Sequence, residues 1–310
     1  MKAMLLTAHG GPETLQMGDA PYPEAGEGEV LVEVHAASVN AADHQVRRAG
    51  DGTVTLPHIL GRDFSGVVVG RGAGVHDLSL DDAVFGVLDV GVEGTYAERL
   101  VVRADLVARK PDMLSHAIAA SMALIGITAI RAIEDTAALR NGETILIQGG
   151  AGGVAGFAIQ LAKQIGAKVI TTTSASNIDY VRGLGADEVI DYNVVNFADI
   201  VRDCDVVFDT VGGDVQTRCA DVLKPGGRLV WTAFGPPGFS QARSDIQVLR
   251  PTVRRGRAEL ERVLELIRCG AVRPLPIRRF PLSEAAEAHR ISEGRHLQGK
   301  LVLEITHEKK

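Results

Sequence analysis

The feature that most restricts the fold of this chain is a glycine-rich loop between a short apolar run and a helix-like segment. The loop reads Ile145-Leu-Ile-Gln-Gly-Gly-Ala-Gly-Gly-Val-Ala155. A dinucleotide pyrophosphate needs this order, because residues without side chains let the backbone approach the phosphates and the helix N-terminus supplies unpaired N–H groups. The alternative is a tight packing turn. We predict dinucleotide binding, with contacts from Gly152, Gly153 and Val154.

The loop lies within a series in which strand-like and helix-like segments alternate. Short apolar runs are separated by segments of helical periodicity. This order is typical of a parallel sheet with crossover helices. We predict strands at Thr144–Gln148, Lys168–Thr172, Glu188–Ile190, Val206–Asp209 and Arg228–Thr232, and helices at Val154–Ile165, Ile178–Leu184 and Asp214–Leu223.

The first third of the chain has a different pattern. Short runs rich in Val, Ala and Leu alternate with glycine turns, which is typical of a small barrel or sandwich. We predict one helix at Ala41–Ala49 and strands at Lys2–Thr7, Glu29–Ala37, Ser65–Arg71, Ala83–Val87 and Ala97–Val102.

The remaining segments suggest that the chain returns to its first domain. Ala117–Glu134 has helical length with apolar residues on several faces, which predicts a buried helix. The layout is α/β, with a β-rich domain over residues 1–116, completed by 271–310, and a nucleotide-binding domain over 117–270. The last segments are helices at Arg257–Cys269 and Leu282–Glu293 and strands at Ile277–Phe280 and Lys300–Ile305.

Composition limits the partners of the chain. Lys and Arg number 33 and Asp and Glu 39, a formal net charge of −6, which argues against a general attraction to nucleic acid or anionic membranes. The basic run Arg250–Arg257 is either a local nucleic-acid patch or, as we prefer, a solvated or dimer-edge face. The three cysteines are too scattered for a disulfide framework or a cysteine-rich zinc site.

Nothing in the sequence predicts secretion or membrane insertion. The first residues lack the long apolar run of a signal peptide. The most apolar stretch, Ala117–Ile130, is too short and too interrupted to span a bilayer. We therefore expect a cytoplasmic protein with reduced cysteines.

The segment after the second strand of the nucleotide-binding series indicates which dinucleotide binds. An NAD site usually has an Asp or Glu there, which binds the ribose 2′-OH. Here the segment reads Ile170-Thr-Thr-Thr-Ser174-Ala-Ser176-Asn177, and no acid precedes Asp179. Small hydroxyls and an amide leave room for a 2′-phosphate, so NADP is favoured over NAD. Ser174 and Asn177 are the candidate contacts, unless they only cap the next helix.

Motifs along nearly the whole chain resemble the medium-chain dehydrogenase/reductase superfamily. Within it, the zinc-free quinone oxidoreductase branch is the most similar. The motifs occur in the family's order and are specific to the superfamily but not to a substrate. Besides the glycine loop they are Ser38-Val-Asn40-Ala-Ala-Asp43, Leu60-Gly-Arg-Asp-Phe-Ser-Gly-Val67, Leu124-Ile-Gly-Ile-Thr128-Ala, Leu184-Gly-Ala-Asp187-Glu-Val-Ile-Asp-Tyr192, Asp209-Thr-Val-Gly-Gly213, Leu223-Lys-Pro-Gly-Gly-Arg-Leu229 and Gly299-Lys-Leu-Val302.

The resemblance implies a GroES-like catalytic domain and a doubly wound Rossmann domain, with NADP(H) in the cleft between them. It also implies a homodimer. In this family the last Rossmann strand often pairs across the two-fold axis, and Asp245–Val253 is the candidate edge strand here.

The resemblance also bears on metal binding. Zinc members of the superfamily hold the catalytic metal with a Cys near the first helix and a Gly-His-Glu segment. Here those positions fall at Asn40 and at Gly61-Arg62-Asp63. The spacing of the candidate ligands His35, His44 and His58 matches no zinc motif. We therefore expect no metal, and an acceptor that is already electrophilic: a quinone or an α,β-unsaturated carbonyl.

Three residues of the first domain are candidate catalytic groups. Asn40 resembles the family's residue near the nicotinamide and would orient the ring or donate to substrate oxygen; the alternative is a helix cap. Asp43 and Arg62 are the others. Alternatives for them are ion pairs of Asp43 with Arg47 or Arg62, and of Arg62 with Asp63. We rank a proton relay through His44 lower.

The other cofactor candidates follow from the resemblance together with topology. Thr128 matches a position beside the cofactor, unless its hydroxyl only bonds its own helix. Tyr192 matches a position near the adenosine phosphate, unless it only packs at the sheet edge. The remaining candidates end two strands and are Val211, Gly212, Ala233 and Phe234.

These observations favour an NADPH-dependent reductase of quinones or α,β-unsaturated carbonyls. The first alternative is an enoyl or alkenal reductase with little quinone activity. The second is a weakly catalytic NADPH-binding module with a structural, RNA-binding or redox-sensing role.

Overall fold

The computed structural model of this protein describes residues 1–49, 54–233 and 243–305 of the 310-residue chain. The strands are β1 (Lys2–Leu6), β2 (Leu15–Asp19), β3 (Glu29–Ser38), β4 (His58–Ile59), β5 (Asp63–Arg71), β6 (Ala83–Val87), β7 (Arg99–Arg103), β8 (Val107–Arg109), β9 (Thr144–Ile147), β10 (Lys168–Thr173), β11 (Glu188–Asp191), β12 (Cys204–Asp209), β13 (Leu223–Trp231), β14 (Gln247–Leu249), β15 (Ile277–Pro281) and β16 (Lys300–Glu304). The helices are α1 (Ala41–Arg48), α2 (His116–Ile130), α3 (Gly153–Ile165), α4 (Ile178–Gly183), α5 (Phe197–Ile200), α6 (Asp214–Cys219), α7 (Arg257–Arg268) and α8 (Ala285–Glu293).

The chain divides into two compact units, neither of which is continuous in sequence. The first unit comprises Met1–Leu124, Arg255–Val263 and Pro276–Lys310, and the second comprises Ile125–Arg254 and Leu264–Leu275. The chain crosses between the units four times, and the crossings after residues 124 and 263 fall inside helices α2 and α7. The domain boundaries predicted from the sequence remain a proposal.

Strand β3 organises the first unit. Its valines alternate, so that Val30, Val32 and Val34 are all fully buried. One side of β3 pairs with β5, and the other pairs with β7 along its first half and with β16 along its second half. The resulting sheet runs β15-β16-β3-β5-β6-β8, and a smaller sheet runs β2-β1-β4. Because β16 pairs with the end of β3, Lys300 is brought close to Asn40.

A parallel sheet organises the second unit. The strand order is β11-β10-β9-β12-β13-β14, and every neighbouring pair is parallel. This is the Rossmann order, in which the chain turns to opposite sides of its first strand. The core beneath it contains Leu146, Ile170, Val207 and Leu229. The predicted combination of a GroES-like domain with a doubly wound Rossmann sheet is confirmed.

The predicted elements match the structure except at particular places. The helix predicted at Asp214–Leu223 ends at Cys219, because Leu223 already pairs with Cys204 and opens β13 before an irregularity in the register. The edge strand predicted at Asp245–Val253 is shorter, since only Gln247–Leu249 pairs with β13. The sequence patterns missed the short strands β2, β4 and β8.

The predicted buried helix is longer than expected. After α2 the backbone continues through a π-helical segment, Arg131–Thr136, so the helical stretch His116–Thr136 is 21 residues long. Length and composition alone would let it cross a membrane, so our argument that it is too short is wrong. Within its most apolar window 83% of the residues are buried in the protein, which is typical of a core helix.

Candidate functional site

The carboxyl ends of five parallel strands of the second unit lie at one edge of the sheet. The crevice at this edge, where the chain turns to opposite sides of β9, is where ligands bind in such folds. The segments that follow the strands hold most of the predicted cofactor contacts: Gly152, Gly153 and Val154 after β9, Ser174 and Asn177 after β10, Tyr192 after β11, Val211 and Gly212 after β12, and Ala233 after β13. We call these segments the nucleotide edge.

The glycine turn after β9 has a geometry that suits a pyrophosphate. Gly149 has a φ of +71°, which favours glycine, and its carbonyl accepts the N–H of Gly152 at 3.0 Å. Gly152 precedes the first turn of α3, whose first N–H groups have no partner within the helix. A Cβ on Gly152 would meet only the Gly149 carbonyl oxygen, at 3.4 Å. The space beside Gly152 is therefore open to a ligand.

Another glycine of the loop serves packing. A Cβ on Gly150 would lie 2.3 Å from Thr171 Oγ1. The packing interpretation of the loop thus applies to Gly150, which lets the neighbouring strand approach. The dinucleotide-binding interpretation applies to Gly149 and Gly152, which shape the turn.

Two hydroxyls and an amide cluster at the end of β10. Asn177 Nδ2 donates to Ser174 Oγ at 3.1 Å, and Ser174 Oγ lies 3.2 Å from Ser176 Oγ. Neither Ser174 nor Asn177 caps the helical turn it precedes through its side chain, so the capping alternative is wrong. Arg182 on α4 lies 3.7 Å from Asp179. The hydroxyls of Ser174 and Ser176 and the amide of Asn177 form a small polar cluster at the end of β10.

The turn after β12 is shaped by a buried carboxylate. Asp209 Oδ1 accepts the N–H groups of Val211 at 2.9 Å and Gly212 at 3.0 Å. Burial raises the pKa of Asp209, and these two donors oppose that rise. The turn therefore holds Val211 and Gly212 in one conformation at the nucleotide edge.

The other cofactor candidates are placed as follows. Tyr192 follows β11 and is 44% exposed. Thr128 is half-buried in α2 rather than at a strand end, so it stands apart from the nucleotide edge along the chain. Phe234 lies outside the residues that the structure describes.

The first unit holds a separate group of buried polar side chains, which we call the Asn40 cluster: Ser38, Asn40, Asp43, Asp63, Tyr96 and Lys300. Pairing of β3 with β5 and β16 brings the ends of these strands together. Asn40 Nδ2 donates to Asp63 Oδ1 at 2.9 Å and to the Ser38 carbonyl at 3.3 Å. Lys300 Nζ donates to Asn40 Oδ1 at 2.8 Å and to the Val39 carbonyl at 2.6 Å.

Asn40 is the N-cap of α1 and forms a capping box with Asp43, so the helix-cap alternative applies to it, while its amide nitrogen points into the cluster. Asp43 Oδ2 accepts the backbone N–H of Asn40 at 2.8 Å. Both hydrogens of the Asn40 amide are used by Ser38 and Asp63. The Asn40 amide therefore has no hydrogen left in this structure for the predicted donation to a substrate oxygen.

Asp43 is fully buried and bound by neutral donors. Tyr96 Oη donates to Asp43 Oδ2 at 2.8 Å, and Arg62 Nε lies 3.8 Å from Oδ1. Burial raises the pKa of Asp43 to about 7, although the Asn40 N–H, Arg62 and Tyr96 lower it in part. Of the two predicted partners Arg62 is the one near Asp43, because Arg47 pairs with Glu293.

Arg62 forms its main ion pair with a residue that the sequence patterns did not suggest. Its Nε and Nη2 donate to Glu93 Oε1 at 3.0 and 2.9 Å, and Glu93 Oε2 lies 3.1 Å from His58 Nε2. The predicted ion pair between Arg62 and Asp63 is wrong, since Asp63 faces Asn40 and Ser38. Nothing in the sequence identifies Glu93, which lies 31 residues away.

The histidines considered as metal ligands lie in separate contacts. The ring of His44 lies 5.0 Å from that of His289, and burial lowers the pKa of His44 to about 4. His35 stacks against His116 at 4.5 Å. Within the described ranges, no group of three or more His, Cys, Asp or Glu side chains could hold a metal ion.

The basic run near residue 250 is occupied by internal contacts. Arg255 Nη1 donates to the Leu88 carbonyl, and Arg257 donates to the carbonyls of Val107 and Ala104. Arg250 lies over the ring of Trp231. The solvated face that we preferred is wrong for Arg255 and Arg257, whereas Arg250 and Arg254 are exposed.

Comparison with known proteins identifies the family. Residues 26–112 match the family described as alcohol dehydrogenase GroES-like domain, and residues 184–303 match that described as zinc-binding dehydrogenase. The chain is 35% identical to the chloroplastic NADPH-dependent alkenal/one oxidoreductase of Arabidopsis thaliana, over 98% of this chain and 79% of that protein.

Solved structures of similar fold indicate the same family. The quinone oxidoreductase of Coxiella burnetii has a TM-score of 0.90 at 34% identity and 99% coverage of both chains. The Escherichia coli quinone oxidoreductase complexed with NADPH has a TM-score of 0.88 at 28% identity, over 98% of this chain and 100% of that one. The chain belongs to the medium-chain dehydrogenase/reductase superfamily, in its zinc-free quinone oxidoreductase branch.

One family description names zinc, and the residues of this chain do not fit that metal. Asn40 and Asp63 stand at positions where zinc members carry ligands, and they are hydrogen-bonded to each other. The ammonium group of Lys300 lies 2.8 Å from Asn40 Oδ1. A buried cation at that point repels a metal ion, so the Asn40 cluster takes the place of a metal site.

Proposed function

We propose that this protein is an NADPH-dependent reductase that transfers hydride to a quinone or an α,β-unsaturated carbonyl without a metal. The nucleotide edge carries this proposal, because five strand ends present a glycine turn, a helix N-terminus and a hydroxyl cluster to one ligand. The names of the relatives support the same chemistry: alkenal/one oxidoreductase and quinone oxidoreductase.

Different residues of the second unit would bind different parts of the dinucleotide. Gly152, Gly153 and Val154 would hold the pyrophosphate at the start of α3. Ser174 and Asn177 would donate to the 2′-phosphate, and Tyr192, Val211, Gly212, Ala233, Phe234 and Thr128 complete the proposed contacts. When bound, NADPH supplies the hydride and the electron pair of the reduction.

Residues of the first unit would act on the acceptor. We assign Asn40 an orienting role, since its amide has no donor to spare. Arg62 is the candidate donor to the oxygen on which charge develops, because Nε and Nη2 bind Glu93 and no described residue accepts from Nη1. Asp43 holds Asn40 and lies within reach of Arg62, so it supports both.

The initial rate of NADPH oxidation by chelator-treated protein tests this proposal, with a simple quinone and a small enone as acceptors. Turnover of either acceptor is the expected result. The ratio of the two rates decides between a quinone reductase and an alkenal or enoyl reductase with little quinone activity. Tight NADPH binding without turnover of either acceptor would contradict the proposal and favour the non-catalytic alternative.

Two further assignments belong to this proposal. The edge strand β14 ends the sheet order and is the proposed contact across a two-fold axis, which sedimentation would report as about twice the 32.9-kDa chain mass. A cytoplasmic location rests on the sequence, and fractionation of cells that express the full chain would test it.

A further inference from the structure

The amide of Asn40 is held so that its two ends cannot exchange. An ammonium group can only donate hydrogen bonds, and a carboxylate can only accept them. Lys300 Nζ therefore requires the oxygen of the amide on its side, and Asp63 requires the nitrogen on the other. The Ser38 carbonyl accepts the second N–H of the amide, at 3.3 Å. Lys300 is the side-chain donor to Asn40 Oδ1, and the capping box of α1 places the backbone N–H of Asp43 on the same side chain.

The two groups that impose this orientation are costly to bury. Lys300 is 5% exposed and Asp63 is fully buried. Burial lowers the pKa of Lys300 and raises that of Asp63, and each charge favours the ionised form of the other. Apolar residues of similar volume generally replace such pairs at little or no loss of stability. Fold stability alone therefore does not explain why a Lys and an Asp occupy these positions.

We propose that Lys300 and Asp63 are positioning residues that fix the orientation of the Asn40 amide, so that its oxygen and its nitrogen keep fixed places beside the bound nicotinamide. This inference rests on the proposed function for the identity of the bound group. The orientation of the amide itself depends only on contacts within the first unit.

A pair of variants separates positioning from charge compensation. Lys300→Met alone leaves the Asp63 carboxylate without its cation, so we expect a clear loss of thermal stability. The double variant Asp63→Asn/Lys300→Met removes both charges and should recover most of that stability. The amide introduced at position 63 can accept from Asn40 or donate to it, so the long contact with the Ser38 carbonyl is the described one that still favours the original orientation. We therefore expect kcat of the double variant to stay about 10-fold or more below wild type, with KM for NADPH changed by less than about 3-fold.

Recovery of kcat together with stability in the double variant would overturn the proposal, because the pair would then only balance charge. Lys168→Met is the matched control. Lys168 forms an exposed ion pair with Glu188, so this change should alter neither stability nor kcat appreciably.

A second readout needs no turnover. In cofactor-free protein labelled with 15N-asparagine, the Asn40 side chain should give one pair of N–H resonances with slow solvent exchange, identified by their loss in Asn40→Asp. In the double variant the new amide at position 63 adds a pair of its own, so the Asn40 pair is again identified by its loss in Asn40→Asp, and we expect it to exchange faster by about 10-fold or more. Unchanged resonances would overturn the positioning role. The expected change in a protein that reduces no acceptor would instead uphold the orientation and reject the proposed function.

Discussion

The nucleotide edge and the Asn40 cluster are built from opposite kinds of groups. The nucleotide edge uses glycines, backbone N–H groups and small hydroxyls at the ends of successive strands. The Asn40 cluster uses a lysine, two carboxylates, an amide and a tyrosine, all buried and drawn from distant parts of the chain. Added volume at the nucleotide edge should disturb ligand binding, while a change of charge in the Asn40 cluster should disturb the stability of the fold. Substitutions should therefore have different signatures in the two regions.

The largest expected effect concerns charge in the Asn40 cluster. The pKa of Asp43 is about 7 in the folded protein and near 3.8 in an unfolded chain. Between these values the folded protein keeps a proton that the unfolded chain releases, so wild type loses stability as pH rises. In Asp43→Asn the side chain does not ionise, so the variant does not lose this stability as the pH rises. Its free energy of unfolding relative to wild type should therefore rise from pH 4 to 7, by about 4 kcal/mol at most.

Denaturant titrations at several pH values would measure that difference. His44 and His289 act in the opposite direction, because burial lowers their pKa values to about 4 and about 3. Both are present in wild type and variant, so their effects cancel in the difference. Asp112→Asn is the control at an exposed carboxyl group. A difference that does not change with pH would show that Asp43 ionises normally.

The next effect concerns volume at the nucleotide edge. Gly152 has an extended backbone, and a Cβ added there would meet only the Gly149 carbonyl oxygen, at 3.4 Å. Gly152→Val should therefore leave the melting temperature nearly unchanged but weaken NADPH binding by about 100-fold, since it fills the approach of the phosphates. Fluorescence titration measures the Kd. Gly183→Val is the control, because a Cβ there meets nothing within 4 Å. Equal affinities of the two variants for NADPH would contradict the assignment of the pyrophosphate to this turn.

A smaller effect separates charge from donor geometry at Arg62. Arg62→Lys keeps a cation beside Glu93 but removes the guanidinium group and its Nη1 donors. We expect kcat to fall by about 30-fold while the KM for NADPH and the stability stay near wild type. Steady-state kinetics with the preferred acceptor would measure this. A raised KM with unchanged kcat would mean that Arg62 only helps binding.

The smallest effect concerns cofactor choice. Ser174→Ala removes a hydroxyl from the cluster after β10 and leaves Asn177 without its acceptor. NADPH affinity should fall by about 10-fold while NADH affinity stays the same. Parallel titrations with both cofactors measure the ratio. Equal losses for the two cofactors would show that Ser174 does not contact the 2′-phosphate.

The same contrast explains what the sequence could predict. The nucleotide edge follows from local patterns, because glycine turns and strand ends are close together along the chain and their topology is regular. The Asn40 cluster depends on side chains far apart, such as Asn40 and Lys300, 260 residues away. Lys300 lies in the motif Gly299-Lys-Leu-Val302, yet its burial depends on β16 pairing with β3. The sequence feature that could have indicated a buried Lys300 is a lysine at the start of an apolar strand.

The partners of the charged residues were the least predictable. Glu93 meets Arg62 and His58 only because the loop that carries it folds beside β4 and the start of β5. Side-chain ion pairs of this kind have no sequence period. Element bounds failed where strand pairing overrides helix propensity, as at Leu223.

Isotope transfer tests the central claim most directly. NADPH labelled with deuterium on one or the other face of its reduced ring would be mixed with chelator-treated protein and a small enone, and the product analysed by mass spectrometry. We expect one of the two labelled cofactors to place a single deuterium on the β-carbon of the product. Product formation without deuterium from either cofactor, or loss of product after chelation, would contradict metal-independent hydride transfer by this protein.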